Sequence, residues 1–437
     1  MVTGAKSSSI KKNPVPKLRW GHDRRTDMAL LKWFLPPILS LLMGGFLVQY
    51  LTQHPLKMCP YLGGTFFTFF ALLAAFHFGF SGWDLAFAVP LSLAFFGAGY
   101  TLTTQRFLAR EDPRPVPELT REEGDPGKGH TAVIYFTHGE PETYDPIGWI
   151  NQFNEFDEQG ISFVPLVARP FFCLQLRKKY LKVGRSDHRR MHHRMLQSLE
   201  EAYRAEGDPE TRFYVSFLDD NPRPDAAVIQ ALNEGASRII VAEVFLTISN
   251  HTAEGEELIK ELHVEETFGV PVCYTGPLYD SQSLQEMFVQ RVNQHRDGTD
   301  KTRVGVLLVG HGQPDEWDVE WPTETEQETS FREEVMERLA ADGYLPRNLS
   351  LAWMEFKSPE PAQKVEEFVR QGVEKVFYFS AAISADAIHS QYDVPALVEK
   401  AQVPDDISLI NLGAWNDDPL VIRAIKEKID RCKTSVS

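Results

Sequence analysis

Cysteine is scarce in this chain. Only Cys59, Cys173, Cys273 and Cys432 occur in 437 residues, and no two stand in a CxxC spacing. Thiolate metal sites and disulfide frameworks show as closely spaced cysteines, so neither is expected, and the simplest reading is four unpaired cysteines in a reducing compartment. Positive charge is also short: 45 Lys and Arg stand against 61 Asp and Glu, a net charge of −16. That balance argues against a nucleic-acid partner. No Walker sequence and no Gly-x-Gly-x-x-Gly occurs, so no nucleotide partner is expected either. Long apolar runs are missing from most of the chain and are gathered within residues 31–105.

That block follows a polar, basic tail, residues 1–30, which lacks a cleavage site of the secretory kind. Trp33–Leu51 carries no charge and is long enough to cross a hydrocarbon core of about 30 Å. Leu62–Phe80 and Leu85–Thr103 are further apolar runs, so two or three membrane helices are expected and membrane lipid is an expected partner. The basic tail favours the cytoplasmic side, and so do Arg106, Arg110 and Arg114 after the last run. Both ends can be cytoplasmic only with an even number of crossings. The cysteine argument tips the expectation toward a multi-pass protein of the inner or plasma membrane with a cytoplasmic soluble part. Residues 106–130, with a Pro-rich stretch and then a charged, Gly-bearing one, read as a linker.

Beyond the linker the pattern becomes strand, loop, helix, strand, and it occurs twice. Thr131–Phe136 ends in Thr137-His138-Gly139-Glu140-Pro141, and Arg303–Val309 ends in Gly310-His311-Gly312-Gln313-Pro314. Such unbroken apolar runs suit central strands of a parallel sheet. Asn221–Val241 aligns with Ser358–Tyr378 without a gap: Pro-x-Pro, an amphipathic helix, a Gly, a strand. Each strand leads to a histidine, His251 or His389. Two similar α/β halves are expected, 131–295 and 300–437, each a three-layer unit with a parallel sheet, the two facing a cleft. The first half carries an extra, basic and helical stretch at about 156–197. Ligands bind such sheets at the carboxyl ends of the strands, where all four histidines fall.

These motifs resemble the class II tetrapyrrole chelatases: ferrochelatase and the sirohydrochlorin and anaerobic cobalt chelatases. The resemblance covers about residues 131–425 and leaves out the membrane block. The two-half layout is similar to ferrochelatase. The opening His138-Gly139-Glu140-Pro141 falls where that family has a Leu-Gly-Thr-Pro loop, His311-Gly312-Gln313-Pro314 matches its His-Gly-Leu-Pro, and Ser249–Glu257 falls at its Thr-Thr-Gly-Ser run. The C-terminal motif is closer to the cobaltochelatases. His389-Ser390-Gln391-Tyr392-Asp393-Val394-Pro395 fits their His-x-x-x-Asp-Ile-Pro, and Trp353-Met354-Glu355-Phe356 fits their Phe-Leu-Glu. Ferrochelatase usually has a glutamate where His389 stands.

The resemblance implies a lyase that inserts Fe²⁺ or Co²⁺ into a porphyrin or sirohydrochlorin ring, with no cofactor beyond the substrate metal. His311, His389 and Glu355 are then the catalytic and metal-binding residues. Imidazole and carboxylate hold such ions exchangeably, and imidazole can also accept a pyrrole proton near neutral pH. Glu355 either completes the metal set or serves as the base. His138 and His251 are the counterparts in the first half. The gapless alignment puts Leu218 against Glu355, so that half lacks the carboxylate. The cluster Arg185, Arg189, Arg190, His192, His193 and Arg194 could meet ring carboxylates or the membrane surface. The acidic run from Asp315 to Glu328 could guide metal or be a solvated face. Trp149, Phe171 and Phe172 could line the ring pocket or simply pack. The competing reading is a non-catalytic metal or tetrapyrrole carrier at the membrane.

Overall fold

The structure, a computed structural model, describes residues 24–110, 115–158 and 164–435. Most of the basic tail and residues 111–114 of the linker, Arg114 included, lie outside the described residues. Contacts divide the chain into residues 1–107 and 108–437.

The first unit holds helices α1 (Arg24–Thr52), α2 (Cys59–Gly79) and α3 (Trp83–Leu108). Among the described residues, three helices are long and apolar enough to cross a membrane, with mean hydropathies of 1.6, 1.6 and 1.7. Glycine lets α1 and α3 meet backbone to backbone. A Cβ on Gly99 would strike the Leu41 carbonyl, and one on Gly44 would strike that of Phe96. Small residues at helix crossings are the usual packing device in lipid, where no hydrophobic force draws helices together.

The second unit contains two four-stranded parallel sheets. The first is built from β1 (His130–Thr137), β2 (Thr211–Phe217), β3 (Ala236–Glu243) and β4 (Val272–Tyr274), in the order β2-β1-β3-β4. The second has β5 (Val304–Gly310), β6 (Leu349–Trp353), β7 (Lys375–Ser380) and β8 (Ser408–Asn411), in the same order, β6-β5-β7-β8. The central strands β1 and β5 are buried almost from end to end because both their faces are covered. The Pro-led helices appear as expected, at Pro224–Asn233 and Pro361–Arg370.

The halves share one core. Val133, Tyr135 and Ile240 of the first sheet belong with Val306, Leu308, Phe377 and Phe379 of the second. Helices are also exchanged. Arg291, on the helix Gln282–His295, donates to the carbonyls of Leu412, Ala414 and Trp415 at 3.1, 2.6 and 2.7 Å. The C-terminal helix, Pro419–Ser435, returns to the first sheet, where Arg238 donates to the Lys433 carbonyl at 3.1 Å.

That return overturns the cysteine expectation. Cys273 on β4 and Cys432 on the last helix form a disulfide, with Cα atoms 5.9 Å apart across 159 residues of sequence. Spacing rules miss it because the pair is made by the exchanged helix and not by a local loop. Cys59 is free and exposed, and Cys173 is free and buried. The argument from cysteines to a reducing compartment falls with this bond. The linker is also less detached than its composition suggests. Arg121 is buried and donates to the Ala236 carbonyl at 2.5 Å, and Lys128 N–H donates to the Gly235 carbonyl at 2.7 Å.

His192, on the helix His188–Ala205, ties the halves from within. Its ring meets the Tyr135 hydroxyl at 2.8 Å and the Thr137 hydroxyl at 3.2 Å, both on β1, and the second-half Ser384 hydroxyl at 3.2 Å. Burial, with His193 and His138 adding to it, holds this imidazole down at about 3. In the unfolded chain it titrates near 6.5. Between those values the unfolded state binds the extra proton, so stability falls as pH drops through that window. At pH 5 the loss from this one group is about 2 kcal/mol. His192→Gln should therefore be less stable than the parent at pH 7 yet lose about 2 kcal/mol less between pH 7 and 5. Denaturant unfolding at the two pH values checks this; equal losses in both proteins would refute it.

A packing prediction concerns Gly255, on the helix Asn250–Lys260. A Cβ there would overlap the ring of Phe136, a fully buried residue of β1. Gly255→Ala should destabilise the second unit by about 1–3 kcal/mol, seen as a lower midpoint in thermal unfolding.

Candidate metal centre

His311 is the first residue after β5. Its Nδ1 lies 2.7 Å from the Gly312 carbonyl. A carbonyl only accepts, so Nδ1 carries the hydrogen and the Nε2 lone pair is left for a metal or a proton. The backbone is pinned as well: His311 N–H donates to Glu328 Oε1 at 2.7 Å. Beneath it the fully buried Arg332 donates to the carbonyls of Leu308 and Ala352, at 3.2 and 2.8 Å, and lies 3.9 Å from the Glu328 carboxylate.

His389 opens a π-helical turn, His389–Asp393, after β7. Its Nδ1 is 2.9 Å from Asp393 Oδ2, and Lys179 holds the other Asp393 oxygen at 2.7 Å. The rings of His311 and His389 stand 5.4 Å apart, nearly perpendicular. Their protonation preferences diverge. Burial, then the neighbouring His389, lowers the pKa of His311. Burial also pulls His389 down, but the hydrogen bond and charge of Asp393, with Glu355 and Glu140, outweigh it and hold that pKa above the usual value. Such a pair offers a neutral ligand beside a stronger base.

Glu355 follows β6 and is exposed, and its charge reaches both rings. Its N–H donates to the His311 carbonyl at 3.1 Å. Among the described residues no three His, Cys, Asp or Glu side chains converge as a ready-made metal cluster. An ion here would meet two imidazoles first, with water filling its other positions.

The first half repeats these contacts, and they correct the sequence alignment. Thr137 pairs with Phe217 as Gly310 pairs with Trp353. Leu218 N–H donates to the Thr137 carbonyl and Met354 N–H to that of Gly310, both at 2.9 Å. Asp219 N–H then donates to the His138 carbonyl at 2.8 Å, just as Glu355 does to His311. Asp219, and not Leu218, is therefore the counterpart of Glu355. The second-half turn holds one more residue before its proline, with Phe217 N–H on the Pro222 carbonyl and Trp353 N–H on that of Pro359. The gapless alignment places that extra residue wrongly. His138 and His251 are likewise brought together, with ring centres 4.7 Å apart.

Sequence reasoning missed Glu140. It is half-buried between the halves, its carboxylate accepting the Ile388 N–H at 3.0 Å, and desolvation raises its pKa against the pull of Ser186 and His389. Its place in the His-Gly-Glu-Pro loop was the only signal. Other candidates resolve into structure. Arg189, Arg190 and Arg194 already pair with Asp220, Asp187 and Asp417 at 2.6, 2.8 and 2.5 Å. Within the acidic run, Glu328 is buried under His311, Asp318 pairs with Lys357, and burial, then Glu328 and Asp318, lifts Glu324 to about 8. The run is thus partly built in, not wholly a solvated face. Trp149 and Phe172 pack on each other at 5.7 Å, and Phe171 is exposed. A cavity of about 370 Å³ lined by Arg204, Arg212 and Glu234 lies at the start of β2, at the opposite end of the strands from the histidines.

Solved structures that the chain matches include SirB from Bacillus subtilis with Fe³⁺, at 14% identity and a TM-score of 0.43, covering 70% of this chain and 97% of that one. The sirohydrochlorin chelatase SirB from Bacillus subtilis subspecies spizizenii in complex with cobalt matches at 13% identity and a TM-score of 0.40, over 69% and 94%. DR2241 from Deinococcus radiodurans, a multi-domain protein with structural similarity to chelatases, matches at 14% and 0.44, over 69% of this chain and 55% of its own. No curated protein matches by sequence. The sequence profile of the ferrochelatase family matches residues 130–432, which take in both sheets and all four histidines, and the chain belongs to the ferrochelatase family.

Proposed function

We propose that this protein is a membrane-tethered tetrapyrrole chelatase that inserts Fe²⁺ or Co²⁺ into a porphyrin or sirohydrochlorin ring. The observation that carries the reading is the His311–His389 pair, one ring held neutral and the other backed by Asp393, in a chain of the ferrochelatase family. Metal entry requires two pyrrole nitrogens to lose their protons. His311 presents Nε2 to the ion. His389, with its raised pKa, is the stronger acceptor for a pyrrole proton, and Asp393 stabilises the imidazolium that forms. Glu355 completes the metal set or takes the second proton. The choice of ring and metal rests on the C-terminal motif, whose His389 favours the cobaltochelatase type.

The apolar helices anchor the enzyme beside membrane lipid. Three crossings would put the two ends of the helical block on opposite faces. With the disulfide formed, support for a cytoplasmic soluble unit reduces to Arg106 and Arg110 at the exit of α3.

Anaerobic incubation of the full chain with Fe²⁺ or Co²⁺ and each ring, followed by absorbance, tests the reading. Insertion is expected with at least one ring; none with any would leave the carrier. His311→Ala and His389→Ala should each lower the rate at least ~100-fold. Asp393→Asn should lower it about 10–100-fold, as expected for the partner that orients a ligand.

A further inference from the structure

Among the described residues, four besides glycine have a φ in the left-handed region: His263 at +47°, Asp297 at +50°, Asn416 at +59° and Phe356 at +60°. His, Asp and Asn enter that region more readily than most, and a bulky phenylalanine is an outlier there. At Phe356 the backbone also closes a three-residue turn, Lys357 N–H donating to the Glu355 carbonyl at 2.7 Å. With a positive φ at its centre this is the rare, strained form of the γ-turn, a position that suits glycine. Burial of the side chain does not offset the strain, because Phe356 is 48% exposed.

Both flanks of the turn are fixed. Glu355 N–H is held by the His311 carbonyl, and the Lys357 side chain pairs with Asp318, which also accepts from Gln313 and Thr325 at 2.7 Å each. The turn belongs to the second half alone. Between the carboxylate residue and the proline, the first half has Asp220 and Asn221, and the second has Phe356, Lys357 and Ser358. The extra residue is thus taken up where an aromatic ring is presented to solvent, one position from Glu355 and the His311–His389 pair. Val319, next to Asp318, is 86% exposed, so both ends of the Lys357–Asp318 link carry exposed apolar side chains.

We propose that Phe356 is a contact residue for the tetrapyrrole, packing against the macrocycle and holding it at the His311–His389 pair. The inference rests on the chelatase reading in taking the ligand to be such a ring. A macrocycle is a large, planar, apolar π-system. Covering a half-exposed phenyl with it removes apolar surface of both from water and lets the two rings stack or meet edge to face. Strained backbone is kept where surrounding structure enforces it, and it gathers at ligand-holding sites. A side chain set in place before binding also loses less freedom when the ligand arrives. Phe356 offers no metal ligand and no exchangeable proton, so it acts on ring binding alone.

The test titrates free-base coproporphyrin and sirohydrochlorin anaerobically with the full chain in detergent, without metal, read by absorbance and fluorescence. The parent should bind at least one of them. Phe356→Ala should bind that ring about tenfold more weakly, the scale of one lost aromatic contact, and Phe356→Trp should stay within about threefold of the parent. Phe356→Gly separates contact from fold. Relieved of the left-handed strain, it should unfold at a higher midpoint than Phe356→Ala yet bind the ring no better. Turnover should divide in the same way: in Phe356→Ala the KM for the ring rises about tenfold while kcat stays within about threefold. Should Phe356→Ala not fold, Phe356→Gly carries the comparison. A parent that binds neither ring, a folded Phe356→Ala that binds as the parent does, or a Phe356→Gly that regains binding along with stability overturns the proposal. Failure of the chelatase reading would look different: the parent and Phe356→Trp would bind the ring, Phe356→Ala would bind it weakly, and none would insert metal.

Discussion

The glycine after each strand-end histidine is the constraint on which the site depends. At Gly312 a side chain would run into the Glu355 carbonyl, and at Gly139 into the backbone nitrogens of Asp219 and Asp220. Both glycines have a positive φ that other residues seldom adopt. This close approach does two things. It lets the histidine carbonyl take the N–H of the carboxylate residue, which brings Glu355 or Asp219 alongside the ring. It also turns the glycine carbonyl back onto Nδ1, which sets the tautomer and frees Nε2.

From that common frame the halves diverge through what lies behind the loop histidine. Asp393, itself held by Lys179, backs His389, whereas Gly255 stands at the matching place behind His251. The frame also explains why the protein is not two separable lobes. The inner faces of both sheets share one core, His192 bridges β1 to Ser384, Glu140 of one half caps Ile388 of the other, and the last helix is bonded to β4 through Cys273–Cys432. The two histidine pairs are thereby held next to each other by packed contacts, the kind of support that fixes side-chain geometry.

Local pattern carried most of the architecture. The apolar runs, the doubled strand–His-Gly motif and the Pro-led helices depend on residues near in sequence, so the three apolar helices and both parallel sheets were legible. His311 and His389 were legible for the same reason, each tied to a strand end. The alignment erred at Asp219 because a turn can absorb one extra residue without a trace in the residues around it. Only the hydrogen bonds to His138 and His311 show where the count changes.

The sequence by itself determined the apolar helical block, the duplication and the strand-end histidines, because hydrophobic period and strand-ending glycines act over a few residues. Only the tertiary structure decided the Cys273–Cys432 bond, the contact of Glu140 with Ile388, the partnership of Asp393 with Lys179 and the pairing of His138 with His251. Each of these joins groups far apart along the chain or across a turn, and their energies come from burial and close approach, which no local spacing encodes.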